Sequence, residues 1–203
     1  NKNLIGLDKY EDAIFLSLTN KVLNNPKNVI SSGINANSQF KAIKKFQKEN
    51  DLKQTLVLIP KKDYKEEIEE AIKVSKLNSK KIFYYDTEPT KLTKQIEKVT
   101  RYQIRKQNLA DEIRRIENSE EENKEKKLEI LNRRDTLGKI GYDSIIIADF
   151  DESLKSVTTS LLYTDVSPKN VTFISLNQWF DKTLFKETAS QPISFPSVNK
   201  RNF

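Results

Sequence analysis

Short apolar runs alternate with amphipathic stretches along the chain. The run at residues 56–59 is apolar on both faces, as in a central strand of a parallel sheet, and residues 144–148 are predicted to form another buried strand. Similar runs predict further strands at residues 13–18, 28–32, 82–85, 171–176 and 192–195. Strand, helix and strand at these spacings require right-handed crossovers. The pattern predicts an α/β fold with a Rossmann-like parallel sheet and helices on both faces.

The stretches between the strands have helical periodicity. Phe40, Ile43 and Phe46 share one face of a helix predicted over residues 39–49, with Ser38 as its N-cap. A second helix follows Asp63, which is the predicted cap, and its apolar positions again recur at helical spacing. These amphipathic helices are suited to covering the sheet.

One segment is too long to cover a sheet. From Pro89, at a position typical of a helix start, apolar residues recur at helical spacing to about Ile116, which predicts a single helix on the order of 45 Å long. Residues 117–127 are almost wholly charged, and a returning helix is predicted to end at Gly138. We therefore expect a long inserted helical hairpin over residues 89–138 that stands off the domain, with its tip exposed.

The residue types that are absent narrow the chemistry. The sequence has no Cys and no His, so thiol nucleophiles, thiolate metal sites and the commonest general base are excluded. Only four glycines occur, and none of them lies in a Gly-rich turn between a strand and a helix. Asp149 and Asp151 follow a strand, but no third ligand for Mg²⁺ accompanies them, and helix capping or solvent contact is the favoured interpretation. No enzyme activity, metal or cofactor is expected.

The formal net charge of +7 raises the question of an anionic partner. The 36 basic residues are spread through nearly every predicted helix and mixed with 29 acidic residues, with no Arg-rich arm. We therefore expect a basic surface rather than a nucleic-acid interface. No segment approaches the roughly 20 apolar residues of a membrane span, so none is predicted.

Ligands of open parallel sheets lie beyond the carboxyl ends of the strands. Polar and aromatic residues near the predicted strand ends give a candidate ligand-binding set, which is Ser17, Thr19, Tyr64, Asp86, Asp149 and Trp179. For Trp179, burial in a core or at a domain interface is favoured over stacking on a ligand. No reactive set is present, and this edge is better suited to binding than to chemistry.

The order of several segments resembles a known family. Residues 16–20, Gly33, residues 38–39 and residues 56–60, followed by Tyr64, resemble the type I periplasmic-binding-protein fold. Three further segments resemble the bacterial penicillin-binding-protein activator lipoproteins, which are related to branched-chain amino acid receptors. These are the charged hairpin at 101–138, residues 142–148, and residues 161–166 leading to Trp179.

The resemblance implies two α/β lobes around a cleft, in a periplasmic protein held by a lipidated N-terminal Cys outside this chain. Residues 1–34 would be a remnant of the first lobe and crossover, and residues 35–203 the second lobe, with the hairpin inserted at 89–138. The implied function is non-catalytic binding of an envelope protein, namely a penicillin-binding protein, or of a small amino acid-like ligand. The alternative is a solute receptor of an amino acid ABC transporter. An enzyme with a carboxylate pair is disfavoured.

Overall fold

The computed structural model describes residues 6–17, 27–31, 34–177, 186 and 188–197. Within them, five strands form one sheet in the order β4-β3-β5-β6-β7, and every neighbouring pair is parallel. The strands are β3 (Thr55–Pro60), β4 (Lys81–Tyr85), β5 (Ser144–Ile147), β6 (Thr172–Ser175) and β7 (Ile193–Ser194). A separate parallel pair joins β1 (Phe15–Ser17) to β2 (Val29–Ser31). The predicted parallel sheet is confirmed.

Helices cover both faces of this sheet. Those described are α1 (Ala36–Glu49), α2 (Lys65–Ser75), α3 (Pro89–Val99), α4 (Tyr102–Glu117), α5 (Lys124–Asn132) and α6 (Asp151–Tyr163). Helices α1 and α2 pack on one face and α3 and α6 on the other, which confirms the predicted α/β class. None of the helices in the described ranges is long and apolar enough to cross a lipid bilayer.

The central strand β3 supplies side chains to two cores. Leu56 and Leu58 pack with α3 and α6, whereas Val57 and Ile59 pack with α1 and α2, and all four are fully buried. Successive side chains of a strand point to opposite faces, so a strand covered on both sides must be apolar at every position. Burial of each such side chain stabilises the fold by about 1.5–3 kcal/mol. This explains the unbroken apolar run in the sequence.

The helix starts differ from the predicted ones. Helix α1 is capped by Asn35, whose Oδ1 accepts a hydrogen bond of 2.8 Å from the backbone N–H of Ser38, so Ser38 lies inside the first turn. Helix α2 begins after Tyr64 with no side-chain cap, and the prediction that Asp63 caps it is wrong. Pro89 is the first residue of α3, as predicted. Two closely spaced capping residues are hard to rank from sequence, because both can accept a backbone N–H.

The segment from Pro89 to Ile116 is not one helix, and this prediction is wrong. The chain breaks at Thr100 and Arg101, and Arg101 has a left-handed backbone with φ of 55°. Helix α3 lies on the sheet, where Leu92 and Ile96 are buried in the same core as β3 and β5. Only α4 and α5 form the hairpin, which is shorter than expected. The division of the chain at residues 34 and 35 remains a prediction.

The hairpin has a small core of its own. Leu109, Ile116 and Leu131 are buried together, in a cluster distinct from the two cores of the sheet. Most residues of the turn between α4 and α5 are exposed, as predicted. Arg115 braces this turn through contacts of 2.8 Å to Glu112 and 2.9 Å to Glu121. The hairpin therefore has a core of its own and is not an extension of the cores of the sheet.

A buried arginine joins the hairpin to the rest of the chain. Arg105 in α4 is 3% exposed and donates to the Thr100 carbonyl at 3.1 Å and to Thr136 Oγ1 at 2.9 Å. It also donates to the carbonyl of Thr164, at the end of α6. Burial lowers the pKa of Arg105, an effect that the nearby Asp165 carboxylate opposes. One planar guanidinium thus holds three segments in a fixed arrangement.

Candidate functional site

The strands β3, β4 and β5 end at the same edge of the sheet, where a buried carboxylate lies. Asp149 follows β5 and is fully buried. Its Oδ1 accepts hydrogen bonds from Lys62 Nζ at 2.9 Å and from the Tyr64 hydroxyl at 2.8 Å, both in the segment after β3. The backbone N–H of Phe150 donates to the same oxygen at 2.9 Å. Two different strand ends therefore meet at one carboxylate oxygen.

The second oxygen of Asp149 is equally well occupied. Its Oδ2 accepts from the hydroxyl of Tyr85, the last residue of β4, and from the hydroxyl of Ser153 in α6, each at 2.5 Å. Tyr85 is itself fully buried. We call Asp149, Lys62, Tyr64, Tyr85 and Ser153 the Asp149 cluster. It joins the ends of three strands and the first turn of one helix.

The electrostatics of the Asp149 cluster favour the ionised carboxylate. Burial alone would raise the pKa of Asp149, but hydrogen bonds from Ser153, Tyr85 and Lys62 outweigh it, and the pKa lies below its ordinary value. Burial raises the pKa of both Tyr64 and Tyr85, and the negative charge of Asp149 adds to the effect. Both phenols therefore stay protonated at neutral pH and act as donors.

The ionised carboxylate has a nearby countercharge. Lys62 is one-third exposed, so its ammonium reaches both Asp149 and solvent. Each carboxylate oxygen has at least two donors, and a ligand cation would have to displace one of them, at a desolvation cost of several kcal/mol. The hydroxyls of Tyr64 and Tyr85 stay protonated at neutral pH, so neither can act as a base. The arrangement is suited to holding the strand ends together.

Asp86, at the end of β4, is placed differently. Its Oδ1 accepts from the backbone N–H of Glu88 at 3.0 Å, and its Oδ2 lies 3.9 Å from the ammonium of Lys91. Its own N–H donates to Gln95 Oε1 at 2.9 Å. The side chain of Asp86 is 39% exposed. It shapes the start of α3 and leaves part of its carboxylate in contact with solvent.

The other predicted site residues are spread more widely. Ser17 ends β1 and is half-buried, but β1 belongs to the separate two-stranded sheet. Thr19 and Trp179 lie outside the described residues. Asp151 is exposed, and within the described ranges no three acidic side chains lie close enough together to hold a metal ion. Of the predicted set, the structure brings Tyr64 and Asp149 into direct contact.

Sequence reasoning missed Tyr85 and Ser153. Tyr85 lies at a strand end that was predicted correctly, and Ser153 lies four residues after Asp149, one helical turn further on. The available signal was positional, because the carboxyl ends of parallel strands lie at one edge of the sheet, where polar side chains can come together. The strand order, which puts β4 and β5 on either side of β3, was not specified by the sequence pattern.

No family model and no curated protein matches the chain. Among solved structures it is similar to a LacI family transcription regulator from Clostridium acetobutylicum, with 10% identity, a TM-score of 0.48, and coverage of 90% of this chain and 54% of the regulator. It is also similar to full-length LpoA from Haemophilus influenzae, with 10% identity, a TM-score of 0.49, and coverage of 96% and 30%.

A third similar structure is the C-domain of LpoA from the same organism, described as a regulator of PBP1A, with 11% identity and a TM-score of 0.41. The alignment covers 79% of this chain and 39% of that domain. The chain thus spans about half of the regulator and smaller shares of the two LpoA chains. At these identities and scores the likeness is one of general fold, and no family assignment follows from it.

Proposed function

We propose that this chain is a non-catalytic lobe of a cell-envelope binding protein of the penicillin-binding-protein activator type. In this proposal the full-length protein is lipid-anchored and periplasmic, and its partner is a penicillin-binding protein. The proposal rests first on the sequence resemblance in the segments 101–138 and 142–148. The structural observation that carries it is that both carboxylate oxygens of Asp149 already accept hydrogen bonds from groups of the protein.

A receptor that buries an amino acid beyond the carboxyl ends of the strands has to compensate the ligand ammonium, and a carboxylate at that edge does so best. Asp149 is the buried carboxylate at that edge, and its two oxygens already accept from Lys62, Tyr64, Tyr85, Ser153 and one backbone N–H. A ligand ammonium would compete with an internal lysine and three hydroxyl groups. Small-molecule binding at this carboxylate is therefore disfavoured, and a protein partner is favoured.

The hairpin offers a surface suited to a protein partner. Ile104 in α4 is 50% exposed and Ile130 in α5 is 48% exposed, on elements that are otherwise densely charged. Single exposed apolar side chains are common on protein surfaces, but these two can add apolar contact area to an otherwise charged surface when a partner binds. The absence of His and Cys from the sequence, which removes the commonest general base and any thiol nucleophile, also favours a binding role.

The test is binding of the full-length protein to the purified ectodomain of a bifunctional penicillin-binding protein from the same organism, measured by calorimetry. We expect saturable binding that is weakened at least tenfold, or about 1.4 kcal/mol, by combined Ile104→Asp and Ile130→Asp. The control is Val74→Asp, because Val74 is 47% exposed on α2, on the sheet domain. Equal binding by the hairpin variant would contradict the proposal.

The alternative function is a solute receptor for an amino acid. Its support is that Asp86 has a side chain that is 39% exposed at the same edge as Lys62, which is one-third exposed, so the edge presents both charges to solvent. A titration with a panel of amino acids decides between the two. We expect no binding tighter than about millimolar, equivalent to roughly −4 kcal/mol. Micromolar binding that is lost in Asp86→Asn would favour the receptor.

A further inference from the structure

A second concave surface lies at the opposite edge of the sheet. It is a groove of about 630 Å³ at the amino ends of the strands, lined by residues 138–143, by Gln54 and Lys80 just before β3 and β4, and by Asp165 after α6. The buried Arg105 forms part of its wall. We call it the amino-edge groove. It shares no residue with the Asp149 cluster.

The loop that lines the groove has a fixed shape. It bends at Gly138 and Gly141, whose φ values of 113° and 83° are strained for residues with a side chain. At the end of the loop, Asp143 Oδ2 accepts from the backbone N–H groups of Lys53 at 2.6 Å and Gln54 at 2.7 Å. The groove is therefore held against the start of β3 and does not need a ligand to form.

The two carboxylates of the groove are turned to internal partners. Besides its two backbone donors, Asp143 accepts from the hydroxyl of Ser144 at 2.9 Å. Asp165 accepts a hydrogen bond from Thr136 and lies 4.0 Å from Arg105. The charge of Asp143 is thus directed at groups of the protein, whereas the side chain of Asp165 is 41% exposed and leaves part of its charge facing the groove.

The cations of the groove are less well compensated. Arg134 and Lys139 are both exposed, and in the described part of the chain neither has a carboxylate within ion-pair distance. Lys80 Nζ donates to the Gly141 carbonyl at 2.9 Å and lies 5.6 Å from the centre of the Tyr142 ring, with no carboxylate partner described. Four cations line the groove against two carboxylates, so the groove is positively charged.

We infer that the amino-edge groove binds a small molecule that carries a phosphate or carboxylate group. Arg134 and Lys139 would contact the oxyanion, while Lys80 and the Tyr142 ring line the wall beside it. An arginine fork fits either oxyanion geometry, and the lysines add charge without a fixed direction. The inference does not depend on the proposed function, because it concerns the other edge of the sheet.

The test is a titration of the ¹⁵N-labelled protein at pH 7 with sodium phosphate and, separately, with sodium citrate, against sodium chloride at matched ionic strength. We expect saturable shifts of the Gly138 and Gly141 amides with at least one of the two anions and none with chloride. The anion that binds more tightly distinguishes a phosphate ligand from a carboxylate ligand. Combined Arg134→Gln and Lys139→Gln should weaken that binding at least tenfold.

A matched control removes two charges nearer the carboxyl edge of the sheet. Lys41 lies in the first half of α1, which starts beside Asn177 after β6, and Lys61 directly follows β3. Both lysines are exposed, and combined Lys41→Gln and Lys61→Gln should leave the affinity within about twofold. All four positions are exposed, so both variants should fold, which circular dichroism verifies. Absence of saturable shifts at the two glycines, or equal weakening by both variants, would overturn the inference.

Discussion

The hydroxyl of Tyr85 lies 2.5 Å from Oδ2 of Asp149, although the strands that carry these residues are not neighbours. Tyr85 ends β4 and Asp149 follows β5, with β3 between them. The long phenol side chain spans the end of β3 beneath the surface, where both residues are fully buried. The hydrogen bond thus ties one edge strand of the sheet to its centre.

Replacement of Tyr85 by Phe removes this donor from a buried, ionised carboxylate. We expect the free energy of unfolding to fall by about 1.5–3 kcal/mol, the range for hydrogen bonds to charged groups. Urea denaturation followed by circular dichroism measures the loss. Tyr84→Phe is the matched control, because Tyr84 is 37% exposed in the same strand, and its loss should be below about 0.5 kcal/mol. Equal losses of unfolding free energy in the two variants would show that the hydrogen bond to Asp149 stabilises the fold no more than an exposed tyrosine hydroxyl does.

The Asp149 carboxylate should make stability depend on acid pH. Its pKa in the folded chain lies below its ordinary value of 3.8, so its contribution is fully present above that value and is lost as the pH falls through the folded pKa. We expect the difference in unfolding free energy between the wild type and Asp149→Asn to be constant near neutral pH and to shrink below about pH 4. Urea denaturation at a series of pH values measures it. A difference that stays constant down to pH 2 would contradict the role given to the charge.

Arg105 should be intolerant of a change that keeps its charge. Arg105→Lys retains one cation but cannot reach the Thr100 carbonyl, Thr136 and the Thr164 carbonyl together, so buried acceptors lose their donor. We expect a loss of at least about 2 kcal/mol in urea denaturation. Arg133→Lys is the control, since its side chain is 76% exposed, and should change stability by less than about 0.5 kcal/mol.

The separate core of the hairpin predicts that it can unfold alone. Ile116→Ala removes a side chain that is 1% exposed, at a local cost of about 2–5 kcal/mol. Hydrogen exchange should therefore accelerate throughout α4 and α5, while β3 and β5 remain protected. Ile104→Ala, at a half-exposed position in the same helix, is the control and should leave exchange nearly unchanged. Equal acceleration in β5 would show that the hairpin and the sheet form one cooperative unit.

The sheet was predictable because its central strands have no alternative interpretation. Residues 56–59 and 145–148 are short and apolar at every position, and half or more of their side chains are β-branched, which is typical of doubly covered strands. The break between α3 and α4 was not predictable. Apolar spacing continues across it from Val99 to Tyr102, and the left-handed residue is Arg101, a type that gives no local signal for such a conformation.

The candidate site was predictable in its place but not in its nature. Parallel strands put Tyr64 and Asp149 at one edge of the sheet, and the Tyr64 hydroxyl lies 2.8 Å from Asp149 Oδ1. An aspartate after a strand is more often a helix cap or an exposed group, so its full burial had no sequence signal. The carboxylate can be buried because Lys62 and Tyr85 donate hydrogen bonds to it. Both residues are far from Asp149 in the sequence, and only the strand order brings them to it.

Strands β3 and β5 are covered on both faces, and this affects what fixes their alignment with each other. Because β3 and β5 are apolar on both faces, a slip between them would still bury hydrophobic side chains, and the hydrophobic effect alone distinguishes poorly between alignments. Polar contacts lie at both ends of this pair. Thr55 and Ser144 share a buried hydroxyl hydrogen bond of 2.7 Å at the start, and Asp149 meets Lys62 and Tyr64 at the finish. A slip by one residue would break these buried polar contacts. The few polar side chains at the two ends of the pair, rather than its many apolar ones, therefore select the alignment of β3 and β5.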